Sequence, residues 1–286
     1  MADTGYALPK VSFWLPHPDL RAEVTSYYTV DVDGPLHDHL HPEWGNIRFA
    51  LRGDWQMERS GRTVPAPVSA LFGPTDRTSS FATQGGTMLG IGLTPIGWLR
   101  LVRADASRLA NAIVPLAGHL GFSGDALVAS LADDAGDDAR VARLDTALRI
   151  RLETAPKPDA GAIAVQQALL DDAIDEVGAL AARVEMTERT LQRLCLRAFG
   201  FGPKRLLRRQ RFLRTLDKIK NRLDQPLADV VDGAYYDQAH FNRDFKAYMG
   251  MSPTAYYRSP REVMRRAAEE RMRVVGASMQ GLHKSR

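Results

Sequence analysis

The stretch Tyr235–Pro253, YYDQAHFNRDFKAYMGMSP, limits what this chain can fold into more than any other. Asp237 is a good helix N-cap, and the spacing predicts a helix from there to about Met249. Phe241, Phe245 and Tyr248 recur at i, i+4, i+7 and must share one buried face. Ala239, His240, Asn242, Arg243 and Lys246 fall largely on the other. The preceding PLADVVDGA reads as a shorter apolar helix entered at Pro226, so the unit is helix, tight turn, capped second helix.

The same logic recurs upstream. DEVGALAARVEM reads as a short helix, and Thr187 caps a second, ERTLQRLCLRAF, which Gly200 stops. Leu191, Leu194, Cys195 and Ala198 face inward; Arg189, Gln192, Arg193 and Arg197 face outward. Arginine and glutamine can read base edges in the major groove by paired hydrogen bonds. Between the two units, PKRLLRRQRFLRTLDKIKNRL predicts a connecting helix. Its apolar set is Leu206, Leu207, Phe212, Leu213, Leu216 and Ile219, and its basic face is Arg205, Arg208, Arg209 and Lys220. Roughly 20 helical residues span ~30 Å, close to the ~34 Å of one DNA turn.

Charge supports a polyanion partner. Residues 1–160 carry 15 Lys+Arg against 19 Asp+Glu, whereas residues 161–286 carry 23 against 15. Within 183–222 there are 13 basic and 3 acidic residues. An acidic half joined to a basic one suggests a sensing or catalytic module attached to a nucleic-acid-binding module. Cys195 is the single cysteine, so no intrachain disulfide and no cysteine-based metal cluster can form. The start shows no signal-peptide pattern and no stretch reads as a membrane span, so a soluble cytoplasmic protein is expected.

Residues 163–258 resemble the DNA-binding domain of AraC-type transcriptional regulators, two helix-turn-helix units joined by a long helix. The resemblance rests on TERTLQRLCLRAFGFGPK, RRQRFLRTL and YYDQAHFNRDFKAYMGMSPTAYYR. Ala234 and Tyr235 stand where the family usually has Gly-Phe, and Cys195 stands where an aromatic residue is common. These departures touch packing rather than the reading face. The resemblance implies base reading by Arg189, Gln192 and Arg193 in the first unit and by Gln238, Ala239, His240 and Arg243 in the second. Arg209 and Lys246 are the expected phosphate contacts.

The first hundred residues read as short strands separated by turns such as VDGP, RSGR and TQGG. They resemble, more loosely, the β-rich sensor found ahead of such domains, which implies a cupin-like barrel. The expected fold class is α+β: an N-terminal cupin-like β barrel with helices, then an all-α domain of two helix-turn-helix units joined by a long helix. The expected divisions are 1–104 β-rich sensor, 105–155 helical dimerisation region, 156–162 linker, 163–260 DNA-binding domain and 261–286 helical tail. That tail is expected either to pack on the DNA-binding domain or to stay mobile. Trp14, Trp44, Trp55 and Trp98 read as core residues or as lining of a ligand pocket.

His37, His39 and His41 alternate, with Glu43 close behind, and three imidazoles on one strand face could take a metal. Pro42 interrupts the strand, and the expectation is that no metal or other cofactor is bound. The leading function is a sequence-specific transcriptional regulator, not an enzyme. The alternative is a metal-dependent cupin-type enzyme fused to a DNA-binding domain. Expected partners are double-stranded DNA, a small-molecule effector and a second copy of the chain, with RNA polymerase as a further candidate and no membrane.

Overall fold

The computed structural model describes residues 7–59, 62–116, 118–120, 124–132, 136–220 and 235–284. The turn-separated apolar runs become ten strands: β1 Lys10–Trp14, β2 Val24–Val32, β3 Leu36–Leu40, β4 Asn46–Arg52, β5 Trp55–Arg59, β6 Arg62–Pro65, β7 Ser69–Phe72, β8 Ser79–Thr83, β9 Gly86–Leu93 and β10 Ile113–Pro115. They pair antiparallel in two sheets, ordered β1-β2-β9-β4-β7-β10 and β3-β8-β5-β6.

Period-two alternation assigns the faces of the larger sheet. Tyr27, Ile47, Phe49, Leu71, Leu89 and Ile91 point to one side, where α2 (Gly124–Leu131) and α3 (Asp137–Glu153) cover them with Leu127, Leu131, Val141, Leu144 and Leu148. Their neighbours Val30, Phe72 and Met88 point to the other, where they meet Trp55, Met57 and Phe81 of the smaller sheet. A sheet buried on both faces needs near-continuous apolar strands, and this is why the sequence there does not alternate cleanly. Between β9 and β10 the chain passes through a short helix, α1 Pro95–Gly97, and a wider turn, Trp98–Val102.

The expected helical region 105–155 is corrected at its start. Ala106–Arg108 is a single 3-10 turn, and Ile113–Pro115 is the edge strand β10, paired to β7. The β-branched Ile113 and Val114 and the following proline favour extension, and Asn111 takes a left-handed turn before them.

Beyond this module lie α4 Ala160–Ala168, α5 Val177–Arg183, α6 Glu188–Phe199, α7 Pro203–Lys220, α8 Gln238–Met249, α9 Pro253–Arg258 and α10 Glu262–Val275. Asp159 caps α4 by accepting from the Ala162 amide, so helix begins inside the Pro-rich segment read as a linker. The first helix expected in the second unit, entered at Pro226, lies outside the described residues, as does the side chain of Lys220.

The tail differs from both expectations. α10 packs against β1, β2 and β3 of the sandwich, and Val263 joins the core between the sheets. Asp38 on β3 holds its start by accepting from the Met264 amide at 3.0 Å. Beyond α10, Gln280 donates to the carbonyls of Leu93 and Gly45 and accepts from Asn46. The chain therefore leaves the sandwich, builds the helical units and returns.

Candidate nucleic-acid interface

Both expected reading helices form with the caps the sequence announces. The Thr187 hydroxyl accepts from the Thr190 amide at 3.2 Å, and Gly200 ends α6 at φ 83°. Asp237 accepts from the His240 amide at 2.5 Å, and Gly250 ends α8 at φ 70°. Positive φ is strained for residues with a Cβ, so glycine fits both stops. α6 is seated by Leu191, Leu194, Cys195, Ala198 and Phe199 against Leu206 and Leu207 of α7. α8 is seated by Phe241, Phe245 and Tyr248, with the Tyr248 ring stacked on Phe212 of α7 at 4.7 Å.

This seating leaves one polar face per helix. Arg189, Gln192 and Arg193 are exposed on α6. Gln238, Ala239, Arg243 and Lys246 are exposed on α8, while His240 is half-buried with its ring edge-on to Tyr235. α7, with 18 residues, holds the two faces on one rigid element of ~27 Å.

Arg209 corrects the expectation of a phosphate contact. Its side chain is 0% exposed. The guanidinium lies 3.7 Å over the Trp44 ring and donates to the Thr75 carbonyl at 3.0 Å. Burial pushes its pKa down to about 10, so it stays charged near neutrality. Arg209 is three residues past Leu206 and three before Phe212, on the apolar stripe. Trp44 and the Thr75 loop of the sandwich cover it there. It pins α7 to the β module.

Other basic residues are paired to carboxylates, Arg214 largely buried and Arg197, Arg205 and Arg208 about half exposed. Asp244, 0% exposed in α8, accepts from Arg208 Nε at 3.0 Å and Nη2 at 2.5 Å, locking α8 to α7. Arg205 pairs with Asp76, Arg197 with Asp159 and Arg214 with Asp172. The positive charge in 183–222 therefore overstates the number of cations without a carboxylate partner. Sequence reasoning missed Asp244. Its signal was an acidic residue three positions after Phe241, on the buried face of a strongly basic unit.

The candidate metal set does not converge. His37 and His39 lie side by side on β3, with ring centroids 5.0 Å apart. His41 is buried beyond the strand, its Nε2 2.6 Å from the Tyr256 hydroxyl, and Glu43 accepts from Arg48 at 2.5 Å. Among the described residues no three His, Cys, Asp or Glu side chains form a metal-holding group. Cys195 is buried in the α6 core, and burial raises its thiol to about 12, far from a reactive thiolate.

A cavity of ≈ 110 Å³ opens between the two sheets and α10. Its wall is mostly apolar, with Phe13, Trp55, Met57, Phe81 and Met88 from the sandwich and Met264 from α10. Trp55 is the one tryptophan of the four that lines it; Trp44 and Trp98 are packed in cores, and Trp14 bonds Asp138 at 2.7 Å. Arg48 enters the cavity between Tyr28, to which it donates at 2.7 Å, and Glu43. Burial works against its charge, but Glu43 and Tyr28 outweigh that and hold its pKa above the ordinary value.

Residues 180–259 match the family model described as "Helix-turn-helix domain". With the two capped helices this makes the C-terminal part of the chain a helix-turn-helix domain, a DNA-binding class, and its residues resemble the AraC-type version of it. No curated protein sequence matches. Among solved structures, ToxT from Vibrio cholerae is similar at 8% identity, covering 87% of this chain and 98% of that one, with a TM-score of 0.44. ToxT with a bound unsaturated fatty acid gives 9%, 87%, 95% and 0.45. The AraC-like transcriptional activator CuxR gives 12%, 73%, 81% and 0.32. Among the described residues, no helix is long and apolar enough to cross a membrane.

Proposed function

We propose that this protein is a sequence-specific transcriptional regulator that reads two adjacent major-groove segments and responds to a small molecule held in the sandwich cavity. The observation that carries the reading is the pair of capped helices, each burying one face and exposing Arg/Gln-rich positions on the other, tied through α7. Arg189, Gln192 and Arg193 read bases in one segment, and Gln238, Ala239, His240 and Arg243 in the next. Lys246, exposed on α8, meets phosphate.

Sensing is supported by the position of the cavity. Its wall includes α10, which follows the second unit in the chain, and His41, which bonds Tyr256 of α9. The Tyr248 carbonyl at the end of α8 accepts from the Thr78 amide at 2.6 Å. An occupant that moves α10 or the His41 loop thus acts on elements attached to the second reading helix. The chain also forms a homodimer through the α2–α3 region, where Ile150 of α3 is 59% exposed. The test is selection of bound sequences from random DNA, followed by footprinting. Two protected segments about one helical turn apart are expected; uniform binding to all sequences would overturn the reading.

A further inference from the structure

The cavity contains a charge that its walls do not answer. Arg271 projects from α10, is 6% exposed, and donates Nη1 to the Ser26 hydroxyl at 2.8 Å. Its Nε and Nη2 have no partner, nor does Nη1 of Arg48. Buried donors in native proteins are almost always satisfied, so three orphaned guanidinium donors at one cavity require a reason. Three charged side chains line the space, Glu43, Arg48 and Arg271. Glu43 is already bonded to Arg48. One positive charge remains, on the residue with two open donors.

The surroundings leave room in front of that charge. Ala267 and Ala268, one turn before Arg271 on the same helix face, also line the cavity. Phe13, its ring 5.7 Å from the Arg271 guanidinium carbon, flanks it. Burial pushes the Arg271 pKa down to about 10, which still leaves it protonated at neutral pH. The remaining wall offers aromatic and methionine side chains, which accept apolar bodies of varied shape.

We propose that the effector is an apolar molecule bearing a single carboxylate, and that Arg271 is its receptor, with the open Nη1 of Arg48 as second donor. This rests on the cavity being the effector site. The ligand supplies the one negative charge the cavity lacks and the acceptors the two arginines lack. Planar carboxylate matches the guanidinium fork. Because Arg271 belongs to α10 while the apolar wall belongs mainly to the sandwich, the ligand fastens the returning C-terminal segment to the N-terminal module.

The test is direct binding of matched probes to the full-length protein, followed by calorimetry or by Trp55 fluorescence. The probes are octanoate against octanol, and 4-phenylbutanoate against 4-phenylbutanol, so that aliphatic and aromatic bodies are distinguished. A charge-assisted bond to a buried arginine predicts that a carboxylate binds at least about tenfold more tightly than its alcohol. Arg271→Met should abolish that preference while still binding the alcohol, and thermal melting confirms that the variant is folded. Equal affinity of acid and alcohol for the wild type overturns the proposal without recourse to any variant. So does failure of both acids to bind, or a preference that survives Arg271→Met. DNA selection is read separately. A protein that selects DNA but ignores the acids loses this inference alone, whereas one that binds the acids but selects no sequence loses the regulator reading.

Discussion

Replacing Arg209 by methionine separates a pin between modules from a phosphate clamp. In the structure the guanidinium gains a charge-assisted bond to the Thr75 carbonyl, about 1.5–3 kcal/mol, and a longer, weaker one from the same Nη1 to the Glu43 carbonyl at 3.5 Å. It also gains about 2 kcal/mol from its desolvated stack on Trp44. Against this stand the several kcal/mol cost of burying the charge and two partnerless donors, Nε and Nη2, at about 1–3 kcal/mol each. The opposing terms are of similar size, so a side chain of similar length without the charge should shift stability by no more than about 1–2 kcal/mol. Arg209→Ala also leaves a hole and should cost about 2–5 kcal/mol. Because Arg209 is sealed from solvent, the methionine variant should keep the wild-type dependence of DNA affinity on salt. A clamp would lose about 0.9 from the slope of log affinity against log salt. The assay is fluorescence anisotropy on random-sequence duplexes over a salt series, with thermal melts of all three proteins. A slope reduced by one contact in a folded Arg209→Met protein would refute the burial argument.

Arg193→Ala should cost about 1–3 kcal/mol on the selected site and relax preference mainly at one base pair; equal losses on selected and random DNA, read by competition binding, would make Arg193 a phosphate contact. Asp244→Ala should destabilise the second unit by about 1–3 kcal/mol in urea melts, since it releases Arg208 from α8; an unchanged midpoint would count against that lock. Asp38 is pushed up to about 6 by burial, which outweighs the stabilising Met264 and His39 amides, from an ordinary 3.8. The folded state thus holds the proton more tightly than the unfolded chain, and stability should fall by up to about 3 kcal/mol as pH rises from about 4 to 6. Asp38→Asn should flatten that dependence in denaturant titrations, and an unaltered slope would show that another group titrates.

The helical units were legible because their signals are local. Thr187, Gly200, Asp237 and Gly250 punctuate α6 and α8, and the apolar residues recur at helical spacing between them. Strand order was not legible, since pairings such as β4 with β9 join residues about forty positions apart. The run from Ala104 to Leu116 misled because Leu109, Ile113 and Leu116 fit a helical period, while its β-branched residues and Asn111 favoured turn and strand. Arg209 misled for a different reason. Charge argued for the surface and spacing argued for the buried stripe, and only Trp44, far away in sequence, decided between them. The place of α10 and the anion site at Arg271 depend on contacts across more than two hundred residues, such as Arg271 to Ser26, and no local pattern announces those.

The return of α10 to the sandwich has a consequence for synthesis. The strands that α10 covers are complete once β10 has emerged, yet the helix follows roughly 150 residues later, which at ~5–20 residues per second is a delay of about 7–30 seconds. During that interval the groove between β1 and β3 is bare, and nascent chains on one polysome expose the same apolar surface to one another. A ligand present in the cell at that time meets an open half-site without Arg271. Chaperone dependence should therefore track the translation time of the segment between β10 and α10, and slowing synthesis there should lower the yield of folded protein even though no residue has changed.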